Sequence, residues 1–493
     1  MAVSGQALSQ VPPPRNGSTA LPNLGDGSDM TPSAERRLGD RIARELYRDP
    51  DYIDDPVIME YVQTIWQPLM AAARLRGELP PELDTAFAWD ILMGKDRTVN
   101  AFALPGAYFG LHLGLVAVVS NRDELASVLA HELSHVTQRH ISRMIARQSE
   151  QAPWLMGAMI LGLLAASKNP AAAQTAIVGG QALAAQTQLN FSRDMEREAD
   201  RVGFGVMTQA GFDAQAFVSM FEKLQQASRL NDSGGFAYLR SHPLTTERMS
   251  DMQTRAGQTG TVAAPAQTLE HAMVSARARA LANSNVDALR LWERQAEPAR
   301  LAQLPAATQA GNLYGAAFAA MKLRDFPRAA AALDRLARQA QANVPATRLA
   351  TLLGAELALA QGQPDRALVA LLRVPDTGRA ATLLRAQAGV QAGHTAPVTQ
   401  SLQTWIADHP RDAQAWQLLA SAYAAQGKTL SAIRAEAEVN VAQLDYPVAL
   451  TRLKAAQDMA RKGVAAGDHI EASIVDTRTR QVELLAREQA VER

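Results

Sequence analysis

Residues His131-Glu132-Leu133-Ser134-His135 form an H-E-x-x-H segment. On a helix, His131 and His135 lie one turn apart on the same face, so both imidazoles can reach one metal ion. Glu132 stands about 100° around from His131, beside the ligands without having to be one. A carboxylate so placed can accept a proton from an activated water and pass it to a leaving amine, which is the work of a general base in peptide hydrolysis.

Two histidines leave a catalytic zinc one protein ligand short, because three plus water is usual. Residues 192–200 read Ser-Arg-Asp-Met-Glu-Arg-Glu-Ala-Asp and open a second helix with Asn190 or Ser192 as cap. Glu196 and Asp200 are four apart and share a face, whereas Asp194 and Glu198 each sit about 200° from Glu196. The expected metal set is therefore His131, His135 and Glu196, with Asp200 holding one histidine by its other ring nitrogen. On spacing alone a solvated charged face fits this helix equally well, and it is the upstream motif that favours the metal. The expected cofactor is one Zn2+ per chain, an ion that tolerates mixed nitrogen and oxygen ligands.

The elements that must position these groups are legible nearby. Asn121 with Glu124 makes a capping box, and Leu125, Val128, Leu129, Leu133 and Val136 recur at helical spacing, so the motif lies in an amphipathic helix. A continuous helix puts His140 about 180° from His131, facing away from the metal as a structural residue. His112, His271, His394, His409 and His469 lack partner acids at metal-site spacing and read as surface or core residues. Short extended runs are expected at residues 86–92 and 100–104, which makes residues 31–254 an α+β domain. Gly257, Gly260 and Pro265 mark residues 255–267 as a linker.

After the linker the chain becomes Ala-rich and strand signals vanish, so residues 268–493 read as an all-α unit. Trp416, Leu419, Ala420, Tyr423, Gly427 and Ala432, with Pro410 before them, stand at the offsets of a tetratricopeptide repeat. Gly362 with Ala355 and Ala367, and Gly393 with Ala386, repeat its small-residue positions, and Tyr314-Gly315 with Phe318 suggests a degenerate unit upstream. Small residues there let helices approach closely, and stacked pairs bury a continuous solenoid core.

Composition removes other classes. Lys+Arg and Asp+Glu both number 49, so no net charge draws the 493-residue chain onto nucleic acid. With Cys at 0, disulfides, thiolate metal sites and cysteine nucleophiles are excluded. Residues 1–30 hold Pro12-Pro13-Pro14 and no apolar run long enough for a secretory signal. They read as a disordered segment, either a cytosolic tail or a mature N-terminus with its signal removed. The apolar stretch 152–166 is shorter than the roughly 18–20 residues of a membrane span. It reads as a buried helix, a lid, or, through residues 154–166, a surface that touches lipid.

Together, the run Asn100-Ala101-Phe102-Ala103-Leu104-Pro105-Gly106, the H-E-x-x-H helix and the Glu196-Arg197-Glu198-Ala199-Asp200 segment resemble the M48 peptidases. The repeats narrow the resemblance to periplasmic members with a C-terminal tetratricopeptide domain. It implies a gluzincin-type zinc metallopeptidase domain with Glu196 as third ligand, in agreement with the helical face. It also implies periplasmic residence, unfolded or misassembled outer-membrane proteins as substrates, and the outer-membrane assembly machinery as a partner of the repeats. Asn100, Ala101, Phe102 and Ala103 are then a strand that pairs with extended substrate. The resemblance sets His242, in Ser241-His242-Pro243-Leu244, at the rim of the site, where it reads as a loop histidine of no consequence, an oxyanion donor, or a fourth zinc ligand that blocks water. Arg248, on the following helix, joins Glu132 and His242 as a catalytic group. Ala107 departs from the family pattern, which often has a second glycine there. The competing reading is a repeat-based assembly chaperone whose zinc site is normally closed.

Overall fold

The computed structural model describes residues 30–147, 192–230, 236–259, 267–375, 378–462 and 469–491. These residues are mostly helical, with one four-stranded sheet. The expected disordered segment lies outside them save for Met30, and so does the apolar stretch 152–166 with its expected lipid contact. Among the described residues no helix is long and apolar enough to cross a membrane.

Helices α1 (Pro32–Tyr47) and α2 (Pro56–Leu75) lead into α3 (Pro81–Ala86) and the sheet, β1 (Tyr52–Ile53), β2 (Asp90–Gly94), β3 (Ala101–Leu104) and β4 (Tyr108–His112). Strand order is β1-β2-β4-β3, with β2 parallel to β4 and β3 antiparallel to it, so β3 is an edge. The extended run expected over residues 86–92 starts only at Asp90. Pro81 opens a helical turn that lasts through Ala86, and Trp89 takes left-handed backbone with φ 50° before the strand begins. The turn between β3 and β4 places Gly106 at φ 70° and Ala107 at φ 59°. Glycine takes that conformation freely, while alanine pays about 1–2 kcal/mol for it.

Helix α4 (Leu113–Val118) leads to α5 (Arg122–Thr137), which carries the H-E-x-x-H residues. Asn121 Oδ1 accepts from the Glu124 amide at 2.8 Å, the expected cap, while Glu124 Oε2 accepts from Ser120 N and from Lys223 Nζ, each at 2.6 Å. The helix is not amphipathic as expected, because every residue from Glu124 to Thr137 is buried. Helix α2, the edge strand and two later helices, α7 (Arg193–Gln209) and α8 (Gln215–Leu230), enclose it. Its serines are satisfied locally: Ser127 Oγ donates to Glu124 O and Ser134 Oγ to Ala130 O. Arg139, at φ 56°, ends α5, and α6 (His140–Arg147) starts in a new direction.

After α9 (Tyr238–Ser241), helix α10 (Thr246–Gln258) runs into the expected linker, so residues 255–258 are helical while 260–266 lie outside the described residues. The rest is helix after helix: α11 (Leu269–Ala282), α12 (Val286–Gln295), α13 (Pro298–Leu301), α14 (Ala306–Lys322), α15 (Phe326–Ala340), α16 (Val344–Ala360), α17 (Pro364–Leu371), α18 (Arg379–Gln391), α19 (Thr395–Asp408), α20 (Ala413–Ala425), α21 (Thr429–Ala442), α22 (Tyr446–Arg461) and α23 (His469–Val491). From α14 onward each packs on its successor. Gly362, Gly393 and Gly427 end α16, α18 and α20 in left-handed backbone, the usual stop for a helix that must turn back.

The two halves share one hydrophobic core that runs from Val57 through Leu129 to Ala388. Polar contacts cross the same boundary. Buried Arg277 donates to Asp55 at 2.9 Å and to Glu356 at 2.6 and 2.8 Å, and its guanidinium lies 4.8 Å from the Phe318 ring centroid. Buried His271 Nε2 donates to Val119 O at 2.9 Å, which leaves Nδ1 to accept from the Tyr61 hydroxyl at 2.7 Å. Arg379 clasps Asp54 with two bonds of 2.6 Å.

Arg277→Met leaves two carboxylates uncompensated in the interface and should cost about 3–5 kcal/mol. A thermal melt checks this, against Arg328→Met at an exposed pair as a near-neutral control. Burial lowers the His271 pKa, so neutral His271 contributes stability that is present above the unfolded value of about 6.5 and is lost as pH falls below it. The drop in Tm between pH 7 and pH 5 should therefore be smaller for His271→Gln than for the parent.

Candidate metal centre

Helices α5 and α7 build the site where they cross. Ser192 Oγ accepts from Met195 N at 3.2 Å and caps α7, which fixes its first turn. Its buried face carries Glu196, Asp200 and Gly203. A Cβ on Gly203 would stand 3.0–3.1 Å from the backbone of Ala130 and His131, so the small residue sets how near the two helices come. Asp194 turns outward to Arg197, as its position around the helix requires.

At that crossing His131 Nε2 and His135 Nε2 are 3.0 Å apart. Glu196 lies 3.6 Å from His131 Nε2 and 3.4 Å from His135 Nε2. His242 Nδ1 joins them, 3.3 Å from His131 Nε2 and 3.0 Å from Glu196 Oε1. One donor atom from each of these four buried residues fits within a 4.8 Å span. Separations of 3.0–3.6 Å between neighbouring donors are short enough for one ion held by nitrogen and oxygen ligands. Charge supports the same conclusion. Three buried carboxylates, Glu132, Glu196 and Asp200, face a single buried guanidinium, Arg248, and this excess of acidic groups suits a divalent cation.

The supporting groups are equally defined. Asp200 Oδ1 is 2.9 Å from His131 Nδ1, the outer nitrogen it was expected to hold. Arg248 binds Asp200 in a fork, at 2.6 and 2.8 Å, and also reaches Glu196 Oε2 at 2.7 Å and the Pro243 carbonyl at 2.8 Å. All of these contacts go to Asp200, Glu196 and the Pro243 carbonyl. Thr245 Oγ1 accepts from Arg248 N and starts α10, so cap and fork together anchor the His242 loop. Tyr238 stacks on His242 with centroids 4.5 Å apart, and its amide donates to Val99 O.

Glu132 points from α5 to the edge strand, where Ala103 N donates to Glu132 Oε2 at 3.0 Å, and its Oε1 is 3.4 Å from His242 Nε2. Ala101 and Ala103 turn their backbone away from β4, while the neighbouring Asn100 carbonyl accepts from His112 N. Phe102 packs on the opposite sheet face, with its ring against Gly110.

Burial pushes the Glu132 carboxyl up and the His135 imidazole well down. Burial alone would raise Glu196 too, but the His242 charge and the close contacts with His135 and His242 hold it well below the usual carboxylate range. Asp200 is held down against burial by Arg248. His242 rises because Glu132 and Glu196 outweigh the cost of burying its charge.

His140 does not face away from the metal residues. The break at Arg139 redirects it, and His140 Nδ1 lies 2.9 Å from His135 Nδ1. Sequence reasoning also passed over Tyr238 and Glu198, whose carboxylate is 3.0 Å from His140 Nε2. A histidine five residues past the motif was the available signal, but projecting it on an unbroken helix concealed it. Of the other histidines, His112 is buried beside Thr98, His271 is buried in the hydrogen bonds that join the two halves, and His409 stacks on Trp405.

A model of peptidase family M48 matches residues 59–256, a span that holds every residue of this centre. The putative beta-barrel assembly-enhancing protease of Vibrio cholerae is 30% identical over 463 residues, 93% of this chain and 92% of that protein. The beta-barrel assembly-enhancing protease of Escherichia coli is 29% identical over 462 residues, 91% and 90% of the two chains. The mitochondrial metalloendopeptidase OMA1 of Saccharomyces cerevisiae is 28% identical over 196 residues, 39% of this chain and 54% of its own. Similarity through the peptidase half and on into the helices behind it makes this chain a member of peptidase family M48, a metalloendopeptidase.

Proposed function

We propose that the chain is a zinc-dependent endopeptidase of the bacterial periplasm that degrades misfolded or stalled outer-membrane β-barrel proteins during their assembly. The observation that carries the reading is the convergence of His131, His135 and Glu196 beside Glu132, next to the edge strand β3. One zinc per chain suits the donor set and the excess of buried carboxylates. When bound, such an ion polarises a scissile carbonyl and acidifies a water molecule.

The chain's own residues supply the rest. Glu132 takes the proton from the attacking water and delivers it to the leaving amine. Asp200 and Arg248 hold His131 and Glu196 in place. The outward backbone of Ala101 and the Ala103 carbonyl, with Asn100 and Phe102 in the same run, offers strand pairing to an extended client once the Ala103 amide is released by Glu132, which gives cleavage of unfolded chains with little side-chain preference. Peripheral lipid contact through residues 154–166 would bring the peptidase near its clients. Nucleic acid has no place in this reading.

Residues 31–254 serve as the peptidase unit and residues 268–493 as a tetratricopeptide-repeat unit, with 255–267 between them. The helices of the second unit frame a groove of ≈ 700 Å³, lined by Leu383, Leu384, Gln387, Gln391, Gln414 and Gln417. The outer-membrane assembly machinery docks on this unit. Its organism-level setting follows the relatives named as beta-barrel assembly-enhancing proteases.

The four-donor cluster favours a second feature, a latent resting state. With His242 Nδ1 among the ligands, the site has no position left for water, as in closed structural zinc sites. A partner that moves the loop of Tyr238 to Thr245 would then open it, so the repeats act as a chaperone until cleavage is called for.

Glu132→Gln should retain zinc and lose hydrolysis of casein, because an amide cannot accept the proton. Elemental analysis alongside the assay decides it; undiminished cleavage would remove Glu132 from the chemistry, and a zinc-free parent would remove the metal. His242→Ala should raise basal proteolysis if the residue is the latch. A fall of roughly 10²- to 10³-fold would instead identify an oxyanion donor.

A further inference from the structure

His135 and His140 meet through their Nδ1 atoms at 2.9 Å, with rings nearly perpendicular and centroids 4.9 Å apart. One proton must lie between two imidazole nitrogens at that distance. The far nitrogen of His140 decides which ring carries it. Nε2 of His140 stands 3.0 Å from Glu198 Oε2, an oxygen that also receives Arg143 Nη1 at 3.0 Å. A carboxylate only accepts, so His140 must carry its proton on Nε2 and donate it to Glu198. His140 Nδ1 is then a bare acceptor, and the shared proton belongs to His135 Nδ1. That leaves the lone pair of His135 on Nε2, the nitrogen turned toward His131 and Glu196. In the opposite assignment His140 Nε2 and Glu198 would be two acceptors in contact, and His135 Nε2 would carry a hydrogen where a ligand atom is needed.

We propose that His140 and Glu198 form a positioning relay that fixes the tautomer and ring orientation of His135 for metal binding. Helix α7 then serves both histidines of the motif from its two sides. Asp200 holds His131 directly, and Glu198, on the flank away from Glu196, holds His135 through His140. The break at Arg139 is what allows this, because it turns the first residue of α6 back onto the last turn of α5. The inference rests on the metal reading of the preceding subsection.

The test measures zinc affinity of the full chain by competition with a chromophoric chelator, and reads the His135 tautomer in the metal-free chain by histidine-labelled NMR. His140→Leu removes the acceptor and should weaken zinc binding by about 10- to 100-fold, as loss of such outer partners does. His140→Asn places Oδ1 where Nδ1 was and should stay within about threefold of the parent, since the acceptor toward His135 is kept. Glu198→Ala leaves the buried ring in place, so it reports even if His140→Leu fails to fold. It should cost about three- to tenfold in affinity and mix the His135 tautomers. Parent-like binding by His140→Leu, loss in His140→Asn equal to that in His140→Leu, or an unmixed tautomer in Glu198→Ala each overturns the relay. A parent chain that takes up no zinc overturns the metal reading instead, and the relay with it.

Discussion

The close crossing of α5 and α7 is the constraint on which the rest of the structure depends. It takes three carboxylates, a guanidinium and three histidines almost wholly out of water within one small volume. Each such group left unmatched would cost several kcal/mol, so the site is stable only if every one has a partner at short range. The crossing can be this tight because Gly203 has no side chain facing the backbone of α5. Around it, loops and caps are arranged to deliver partners: Arg248 from α10, His242 from the loop before it, and the Ala103 amide from the sheet edge.

The same economy explains why the motif helix is buried on all sides. An H-E-x-x-H helix with one face in solvent would leave Glu132 and the histidines well hydrated and mobile. Here α2, α7, α8 and the edge strand enclose it, and its N-terminus is held by the Glu124 carboxylate and Lys223. The enclosure shifts protonation in the directions expected of a low-dielectric site, and the exceptions, Glu196, Asp200 and His242, are those facing opposite charge.

The helices of the second half belong to the same folded body. Helix α2 packs against α5 and α7 on one side and against α11 and α18 on the other, and Asp54, Asp55 and Tyr61 at its start or within it bond to residues of the second half. Glu60 adds to this by accepting from Ala380 N and pairing with Arg348. A groove among the helices of the second half is therefore lined also by Asp55 and Pro56 of the first, and the two halves meet at its wall.

Much of this was legible in the sequence, because it depends on local periodicity. The turn of a helix places His131 beside His135 and Glu196 beside Asp200 whatever surrounds them, and the Asn121 and Ser192 caps act within one turn. Gly362, Gly393 and Gly427 stop helices for reasons confined to their own backbone. Tertiary structure alone decided what lies across a break or between distant segments. Arg139 adopts left-handed backbone, which no propensity announces, and that single residue turned His140 from a remote group into the neighbour of His135. Arg248 and His242 carry no marker of their contacts, since these form only when α10 folds back onto α7. The shared core across residues 255–267 was equally hidden, because composition records where a chain is Gly- and Pro-rich but not which surfaces meet on either side. Spacing along one helix follows from 3.6 residues per turn, whereas contacts between helices follow from packing, where many weak terms from the whole chain are summed.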